Sequence, residues 1–254
     1  MTHAPTLPCA TGSAASRTGP RHAENEDQYR ILDANHLAVA AVRKGALFAV
    51  CDGVSTSRRG KYAAELMCSR IDTFFDRFAA PRVESLTQLV NEVDWELRGM
   101  GTGQAACTVS MLWLAYGRAT VVHVGDSQLY RIRHGECTRI TETHRGGRGL
   151  GAYVGMGAEI AEVMQVWQEP LFVGDLYLIV SDGVTEVIKP DELLDAWWSE
   201  GGSTQRAAHS IIAEVNRRGG QDDATALVVD VLAVETDPSD ETTFSGRTVF
   251  VGKW

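Results

Sequence analysis

The order of apolar runs along the 254-residue chain is the feature that most restricts its fold. Strand-like runs come first and are followed by two consecutive helical segments, a second group of strand-like runs, two more helical segments and a final strand. Because strands are grouped with strands and do not alternate with helices, this order favours antiparallel sheets over a parallel βαβ array. The sequence therefore predicts antiparallel sheets with helices layered on their outer faces.

The period of the apolar residues identifies the individual elements. A helix is predicted from Gly60, because apolar residues recur on one helical face until Pro81 ends the pattern. A second helix is predicted between Leu86 and Leu97, and two later ones at Asp191–Trp198 and Thr204–Arg217. Short apolar runs predict strands at Leu37–Val42, Ala46–Cys51, Thr108–Tyr116, Ala119–Val124, Gln128–Arg133, Leu176–Val180 and Ala224–Val231.

The two ends of the chain lack these periodic patterns. Residues 1–20 are rich in Ala, Ser, Thr, Gly and Pro, and we predict a flexible N-terminal arm there. Residues 235–254 are acidic and Thr-rich, and we predict a flexible C-terminal tail. The predicted elements fill residues 21–234, so this segment is expected to form one folded domain.

Composition and charge exclude several classes of protein. Hydrophobic residues make up 44% of the chain, which is enough for a sizeable core and unlike a disordered chain. The net charge of −9 argues against non-specific binding to nucleic acid, which depends on Lys and Arg. The five cysteines form no CxxC pair, so neither a zinc site nor a disulfide framework is predicted. We find no signal-peptide pattern and no membrane-spanning apolar run, and therefore expect a cytoplasmic protein.

Acidic residues stand at the ends of five predicted strands. Three aspartates follow an apolar run, directly or after one residue, and they are Asp52, Asp126 and Asp182. Two acidic pairs stand before such a segment: Glu26-Asp27 precedes Tyr29–Leu32, and Asp222-Asp223 directly precedes Ala224–Val231. If the strands that begin at the pairs run antiparallel to those that end at the single aspartates, all five positions meet at one edge of the sheets.

Carboxylates gathered at one edge repel each other unless a cation neutralises them. The donors here are hard oxygens with no His or Cys among them, a set that selects Mg²⁺, Mn²⁺ or Ca²⁺ over zinc. Asp-Gly is also a common hairpin turn, so each position alone favours an ordinary structural role. Neither Asp52-Gly53 nor Asp182-Gly183 is followed by an obvious return strand, however. Together the five positions predict a centre of several metal ions.

Five short segments contain these carboxylates. They are Asn25-Glu26-Asp27, Val50-Cys51-Asp52-Gly53, Val124-Gly125-Asp126-Ser127, Val180-Ser181-Asp182-Gly183 and Gly219-Gly220-Gln221-Asp222-Asp223-Ala224-Thr225. In order and approximate spacing they resemble the motifs of the type 2C metal-dependent Ser/Thr protein phosphatases, the PPM family, especially its compact bacterial members. The resemblance implies an α+β fold of four layers, an α-β-β-α sandwich in which helix pairs flank two antiparallel sheets, with residues 21–234 as the phosphatase domain.

The resemblance also implies a reaction and its cofactors. The expected activity is the metal-dependent hydrolysis of phosphoserine and phosphothreonine in proteins by a metal-activated water, opposing a Ser/Thr kinase. Two or three Mn²⁺ or Mg²⁺ ions per chain are expected. The expected partners are phosphorylated proteins, including a Ser/Thr kinase or its targets, and neither nucleic acid nor a membrane.

The family's motifs assign roles to individual residues. The implied metal ligands are Asp52, the carbonyl of Gly53, Asp182, Asp222 and Asp126, the last of which would form a third metal site with Asp182. Glu26 and Asp27 would hold metal-coordinated waters through hydrogen bonds. Asp223 would support the centre, and Arg21 would bind the substrate phosphate.

Several positions depart from the family's pattern. Arg21 lies six residues before Asp27 where five is usual, so Arg17, Arg58 and Arg59 are rival phosphate-binding residues. Val54 stands where eukaryotic members carry a His that is a proposed general acid. The flap that precedes the Asp182 strand in most relatives is reduced here to a short Gly-rich stretch after His144, which predicts a more open site.

Two other functions compete with the phosphatase hypothesis. The altered Arg spacing and the short flap are compatible with an inactive phosphatase-like module that binds a partner. The carboxylates alone would also suit a metal-dependent phosphohydrolase of small molecules. A calcium-binding domain fits less well, because no compact D-x-D-x-D-G loop occurs.

Overall fold

The computed structural model describes residues 9–33, 35–36, 44–77, 82–146, 149–157, 159–234 and 248–251. Its strands are β1 (Cys9–Arg17), β2 (Gln28–Leu32), β3 (Ala46–Cys51), β4 (Val109–Ala115), β5 (Arg118–Val124), β6 (Gln128–Arg133), β7 (Glu136–Arg139), β8 (Arg145–Gly146), β9 (Gly149–Leu150), β10 (Gln165–Pro170), β11 (Leu176–Val180), β12 (Ala224–Ala233) and β13 (Thr248–Val251). Its helices are α1 (Gly60–Arg77), α2 (Val83–Arg98), α3 (Ile160–Val163), α4 (Asp182–Thr185), α5 (Pro190–Ser199) and α6 (Thr204–Arg217).

The larger strands form two antiparallel sheets. One sheet has the order β13-β10-β5-β4-β3-β2 and the other has the order β1-β12-β11-β6-β7. Strands β8 and β9 form a separate two-stranded ribbon. The element order thus produces antiparallel sheets, as the grouping of strands with strands predicts.

Three layers of apolar side chains hold the sheets and helices together. The first lies between the six-stranded sheet and helices α1 and α2, and includes Met67, Phe75 and Met111. The second lies between the five-stranded sheet and helices α5 and α6. The third lies between the two sheets, where Phe48 and Tyr177 are buried. Three buried interfaces require four layers, so the predicted α-β-β-α sandwich with flanking helix pairs is confirmed.

The N-terminal segment differs from the prediction. Residues Cys9–Arg17, assigned to a flexible arm, form the edge strand β1, which pairs with β12 along its whole length. A side-chain carbon added at Gly12 would lie 2.5 Å from the ring of Phe48. The strand therefore needs small residues to approach the neighbouring sheet, and these small residues remove the apolar alternation that identifies a strand.

Two other segments bear on the predictions. Residues Gln28–Leu32 form a strand that pairs with β3. The predicted strand Leu37–Val42 lies outside the described residues. In the predicted C-terminal tail, Thr248–Val251 form the edge strand β13 against β10, while 235–247 lie outside the described residues. No helix in the described ranges has both the length and the apolar character needed to cross a bilayer.

Candidate metal centre

One edge of the sandwich collects the ends of strands from both sheets. Strand β3 ends beside the start of β2, because Gln28 lies opposite Cys51 in their antiparallel pairing. Strand β11 likewise ends beside the start of β12, where Val180 lies opposite Ala226. Each pairing brings two of the acidic loops together within its own sheet. Asp52, Asp126, Asp182 and Asp222 also line a single cleft, so acidic positions from both sheets meet at one edge.

Four aspartates line one open cleft of about 230 Å³ at this edge, and they are Asp52, Asp126, Asp182 and Asp222. Oxygen atoms of the Asp52, Asp126 and Asp182 carboxylates lie within 4.8 Å of one another. A second group with the same spacing joins Asp182, Asp222 and Glu186. Asp182 belongs to both groups and so links them. Glu186 was not among the predicted site residues.

Burial and mutual repulsion make these carboxylates hard to ionise. Burial and then the neighbouring charges of Asp27, Asp182 and Asp126 raise the pKa of Asp52 well above its usual value. Burial and the charges of Asp126 and Asp222 raise the pKa of Asp182 to about 6. A divalent cation would relieve this repulsion, because it favours the charged form of each carboxylate.

Asp27 lies below the cleft as a fully enclosed carboxylate. Burial raises its pKa to about 7, although the hydroxyls of Ser181 and Thr225 act against the shift. The Ser181 hydroxyl donates to Asp27 Oδ2 at 2.7 Å. Its other oxygen, Oδ1, is buried and accepts no hydrogen bond from any described residue. Buried acceptors normally have a partner, so this oxygen points to an ordered donor that belongs to the centre.

The glycines of the Asp-Gly motifs allow two backbone segments to approach each other closely, and they do not form hairpin turns. A side-chain carbon at Gly183 would lie 2.0 Å from the carbonyl oxygen of Asp223, and one at Gly53 would lie 2.4 Å from the backbone of Gly60. Neither glycine has a positive φ angle. The motifs therefore have glycine because the loops of the centre pack directly against each other.

Asp223 fastens the loop that carries Glu26 and Asp27. Its carboxylate accepts hydrogen bonds from the backbone nitrogens of Gly19 and Glu26, each at 2.7 Å, and contacts His22 Nδ1 at 2.8 Å. Asp223 is buried and makes all three contacts from a position next to Asp222. The backbone nitrogen of Gly53 also donates to the Glu26 carbonyl.

The arginine at the cleft is not the predicted one. Arg21 is exposed, does not line the cleft, and its side chain makes no hydrogen bond or ion pair with the described residues. Its rival Arg17 donates to the carbonyls of Gly220 and Asp222, so it anchors the loop that precedes β12. The guanidinium of Arg145, on the short flap, instead contacts Asp126 and Asp182 directly.

Several further residues of the site were not found from the sequence. Thr108 lines the cleft, accepts a hydrogen bond from the Asp52 nitrogen at 3.1 Å and pairs with the Ser127 hydroxyl at 2.8 Å. Arg145 occurs in the sequence as one of two arginines in a Gly-rich stretch. That composition indicated a short Gly-rich flap, and nothing in it indicates that Arg145 contacts the carboxylates.

The donor set suits Mg²⁺ or Mn²⁺. All candidate ligands are oxygens, the carboxylates are close enough to share ions, and one buried carboxylate oxygen lacks a partner. Hard divalent cations prefer such oxygen ligands. No histidine or cysteine belongs to either carboxylate group among the described residues, which argues against zinc.

Comparison with known proteins identifies the family. The sequence profile described as Stage II sporulation protein E (SpoIIE) matches residues 60–232, which is more than half of the chain. Serine/threonine protein phosphatase PstP of Mycobacterium tuberculosis (strain CDC 1551 / Oshkosh) is 27% identical over 242 residues, covering 84% of this chain and 45% of PstP. The chain thus spans less than half the length of that relative. Serine/threonine phosphatase stp of Listeria welshimeri is 25% identical over 215 residues, covering 71% and 82%.

Solved structures agree with this assignment. The catalytic domain of PstP in complex with 2 manganese ions has a TM-score of 0.73 and 25% identity, and the match covers 88% of this chain and 99% of that one. Serine/threonine phosphatase Stp1 from Staphylococcus aureus has a TM-score of 0.77 over 92% and 99% of the two chains. At 15% identity, this second likeness concerns the fold alone. With its matching profile, its motif order and its sandwich fold, the chain belongs to the bacterial PPM family, within the group that the SpoIIE profile describes.

Proposed function

We propose that this chain is a metal-dependent protein-serine/threonine phosphatase. The observation that carries the proposal is the convergence of four aspartates, from separate loops, in one open cleft. An all-oxygen centre of this kind is suited to holding two divalent ions that act on one phosphate. The substrate class, phosphoserine and phosphothreonine in proteins, is supported by the relatives PstP and stp, which are Ser/Thr phosphatases by name.

The metal ligands that we propose are Asp52, Asp126, Asp182, Asp222 and the carbonyl of Gly53. When bound, the divalent ions supply an activated water and offset the charge of the phosphoryl oxygens. Either Mn²⁺ or Mg²⁺ fits these donors. The manganese ions in the PstP structure make Mn²⁺ the first ion to test.

The remaining residues of the site would position the reactants. Asp27 would hold a water through its unpartnered Oδ1, while the Ser181 hydroxyl fixes its other oxygen. Asp223 would keep Glu26 beside the centre through the backbone bonds of that loop. Arg21 stays a candidate for binding the substrate phosphate, because it lies exposed on the same loop. The expected partners are phosphorylated proteins, among them a Ser/Thr kinase or its targets.

The experiment that tests the proposal compares wild type with Asp182→Asn. Hydrolysis of p-nitrophenyl phosphate and of a phosphothreonine peptide is measured with Mn²⁺, with Mg²⁺ and with EDTA. We expect metal-dependent phosphate release from both substrates, lost in EDTA and reduced by about a hundredfold or more in Asp182→Asn, because Asp182 belongs to both carboxylate groups. Asp195→Asn, on helix α5 away from the cleft, is the matched control and should retain activity.

The outcomes separate the competing functions. Activity on the small ester but not on the peptide would indicate a phosphohydrolase of small molecules. Metal binding without hydrolysis of either substrate would indicate an inactive phosphatase-like module that binds a partner. Equal activity in EDTA and in Mn²⁺ would contradict a metal-dependent mechanism altogether.

A further inference from the structure

Arg145 places a positive charge inside the carboxylate cluster. Its Nε atom lies 2.8 Å from Asp126 Oδ2, and a terminal guanidinium nitrogen is hydrogen-bonded to Asp182 Oδ2. The Glu186 carboxylate is 3.9 Å away. The guanidinium thus bridges Asp126 and Asp182, two of the three carboxylates in one of the candidate metal groups.

The backbone holds Arg145 in this position. The nitrogen of His144, the preceding residue, donates to the carbonyl of Gly125 at 2.8 Å, and the nitrogen of Gly125 donates to His144 Nδ1 at 3.0 Å. Gly125 directly precedes Asp126, so the base of the flap is bonded to the loop that carries the carboxylate. On the other side, Arg145 pairs with Leu150 in the β8–β9 ribbon.

The permanent positive charge of a guanidinium contacts only the Asp126–Asp182 side of the centre among the described residues. Asp52 has no ion-pair partner among the described residues, and Asp222 has only His22, at 3.6 Å. Asp126, in contrast, has a charge-assisted hydrogen bond to a guanidinium that cannot lose its proton. A divalent ion at Asp126 would have to displace Arg145 or share the carboxylates with a second cation, which repels it.

We propose that Arg145 acts as a built-in cation that weakens divalent-metal binding at Asp126–Asp182, so that the chain binds two ions tightly and a third only weakly. The inference rests on the proposed metal centre and adds to it a residue that sets the number of ions. The two tight ions use the side of the centre formed by Asp52, Asp182 and Asp222. Arg145 is a specificity-determining residue in this scheme, because its guanidinium occupies carboxylates that a third ion would need.

The test measures the binding of Mn²⁺ by calorimetry, with the bound metal counted by elemental analysis after gel filtration. The proteins are wild type, Arg145→Met and Arg145→Lys, with Arg70→Met as control. Arg70 is similarly half-exposed, at 44% against 48% for Arg145, and its guanidinium also binds a carboxylate, that of Glu96, away from the cleft. Circular dichroism checks that each variant is folded.

We expect two tight ions in the wild type and in Arg70→Met, and a third ion in Arg145→Met with a Kd lowered by at least about tenfold. Arg145→Lys should keep the third site weak, because it retains the charge. Adding Asp126→Asn to Arg145→Met should remove the third ion again. Either three equally tight ions in the wild type or an unchanged stoichiometry and affinity in Arg145→Met would overturn the inference. If the wild type binds no ion at all, the proposed function fails as well. If the wild type binds two ions and hydrolyses its substrates, and Arg145→Met changes neither the number nor the affinity of the ions, only this inference is overturned.

Discussion

At the scale of single residues, the centre is built from side chains that weaken the metal-free fold. Asp52 is partly buried beside Asp126 and Asp182, and its own carboxylate accepts no hydrogen bond from the described residues. Burying a charge without a compensating partner is unfavourable. A residue that we propose as a metal ligand is therefore one that costs stability when no metal is present.

The first prediction concerns Asp52→Asn. Because the pKa of Asp52 is raised well above its usual value, neutralising the side chain should stabilise the metal-free protein at pH 7.5, by about 1 kcal/mol or more. Urea unfolding in EDTA measures the free energy of unfolding. Asp195→Asn is the control, with an expected change below about 0.5 kcal/mol. The same Asp52→Asn variant should lose the stabilisation that Mn²⁺ gives the wild type, and a less stable metal-free variant would contradict this account.

At the scale of elements, the centre depends on how closely two loops approach. The start of α4 packs against the loop before β12, and Gly183 permits this contact. The sequence showed Asp182-Gly183 and Asp222-Asp223 as separate motifs. It did not show that Gly183 of the first motif leaves room for the backbone of Asp223 in the second.

The second prediction concerns Gly183→Ala. A methyl group at this position would lie 2.0 Å from the Asp223 carbonyl oxygen, so one of the two loops must move. We expect a loss of about 1–3 kcal/mol in the free energy of unfolding, together with weaker Mn²⁺ binding, because the loops carry Asp182 and Asp222. Gly146→Ala is the control, since no atom lies within 4 Å of the added carbon. Normal stability of Gly183→Ala would show that the loops are less tightly packed than described.

The elements themselves could largely be predicted. Periods of apolar residues predict helices α1, α2, α5 and α6 and strands β3 to β6. Each of these helices buries one face against a sheet, and each of these strands buries one or both of its faces. Strand β1 could not be predicted, since its small residues are explained only by the closeness of Phe48. The flap ribbon β8–β9 could not be predicted either, because Gly-rich segments give no periodic signal.

At the scale of the whole molecule, the centre makes stability depend on pH. Burial raises the pKa of Asp27 to about 7, and burial together with neighbouring carboxylates raises that of Asp52 well above its usual value. Burial alone would lower the pKa of His22, but its hydrogen bond to Asp223 and the nearby acidic charges raise it above the usual value. From pH 6.5 to 8 these three groups therefore hold more protons in the metal-free folded protein than in the unfolded chain. Burial lowers the pKa of His123 to about 3, which opposes this by a fraction of one proton near pH 6.5, so the net stability still falls as the pH rises.

The third prediction is that this slope disappears when metal binds. In EDTA the free energy of unfolding should decrease by about 1 kcal/mol or more between pH 6.5 and pH 8, since one such proton changes it by up to about 1.4 kcal/mol per pH unit. With saturating Mg²⁺ the carboxylates are held ionised, so the protein should be more stable at pH 8 than in EDTA. Urea unfolding at several pH values measures both curves. Metal-free stability that rises with pH in this range would contradict the assignment of a buried, protonated cluster.

The sequence by itself determined the antiparallel sheets with outer helices and the position of the acidic motifs, because both depend on short-range patterns, while the four layers followed from the resemblance to the PPM family. An apolar run fixes where a strand ends, and an antiparallel pairing then brings those ends together at one edge. Only the tertiary structure decided that Arg145 and not Arg21 reaches the carboxylates, that Glu186 joins them, and that Gly183 separates two backbones. These are contacts between residues far apart in the chain, and their energies depend on distances that exist only after the layers have packed.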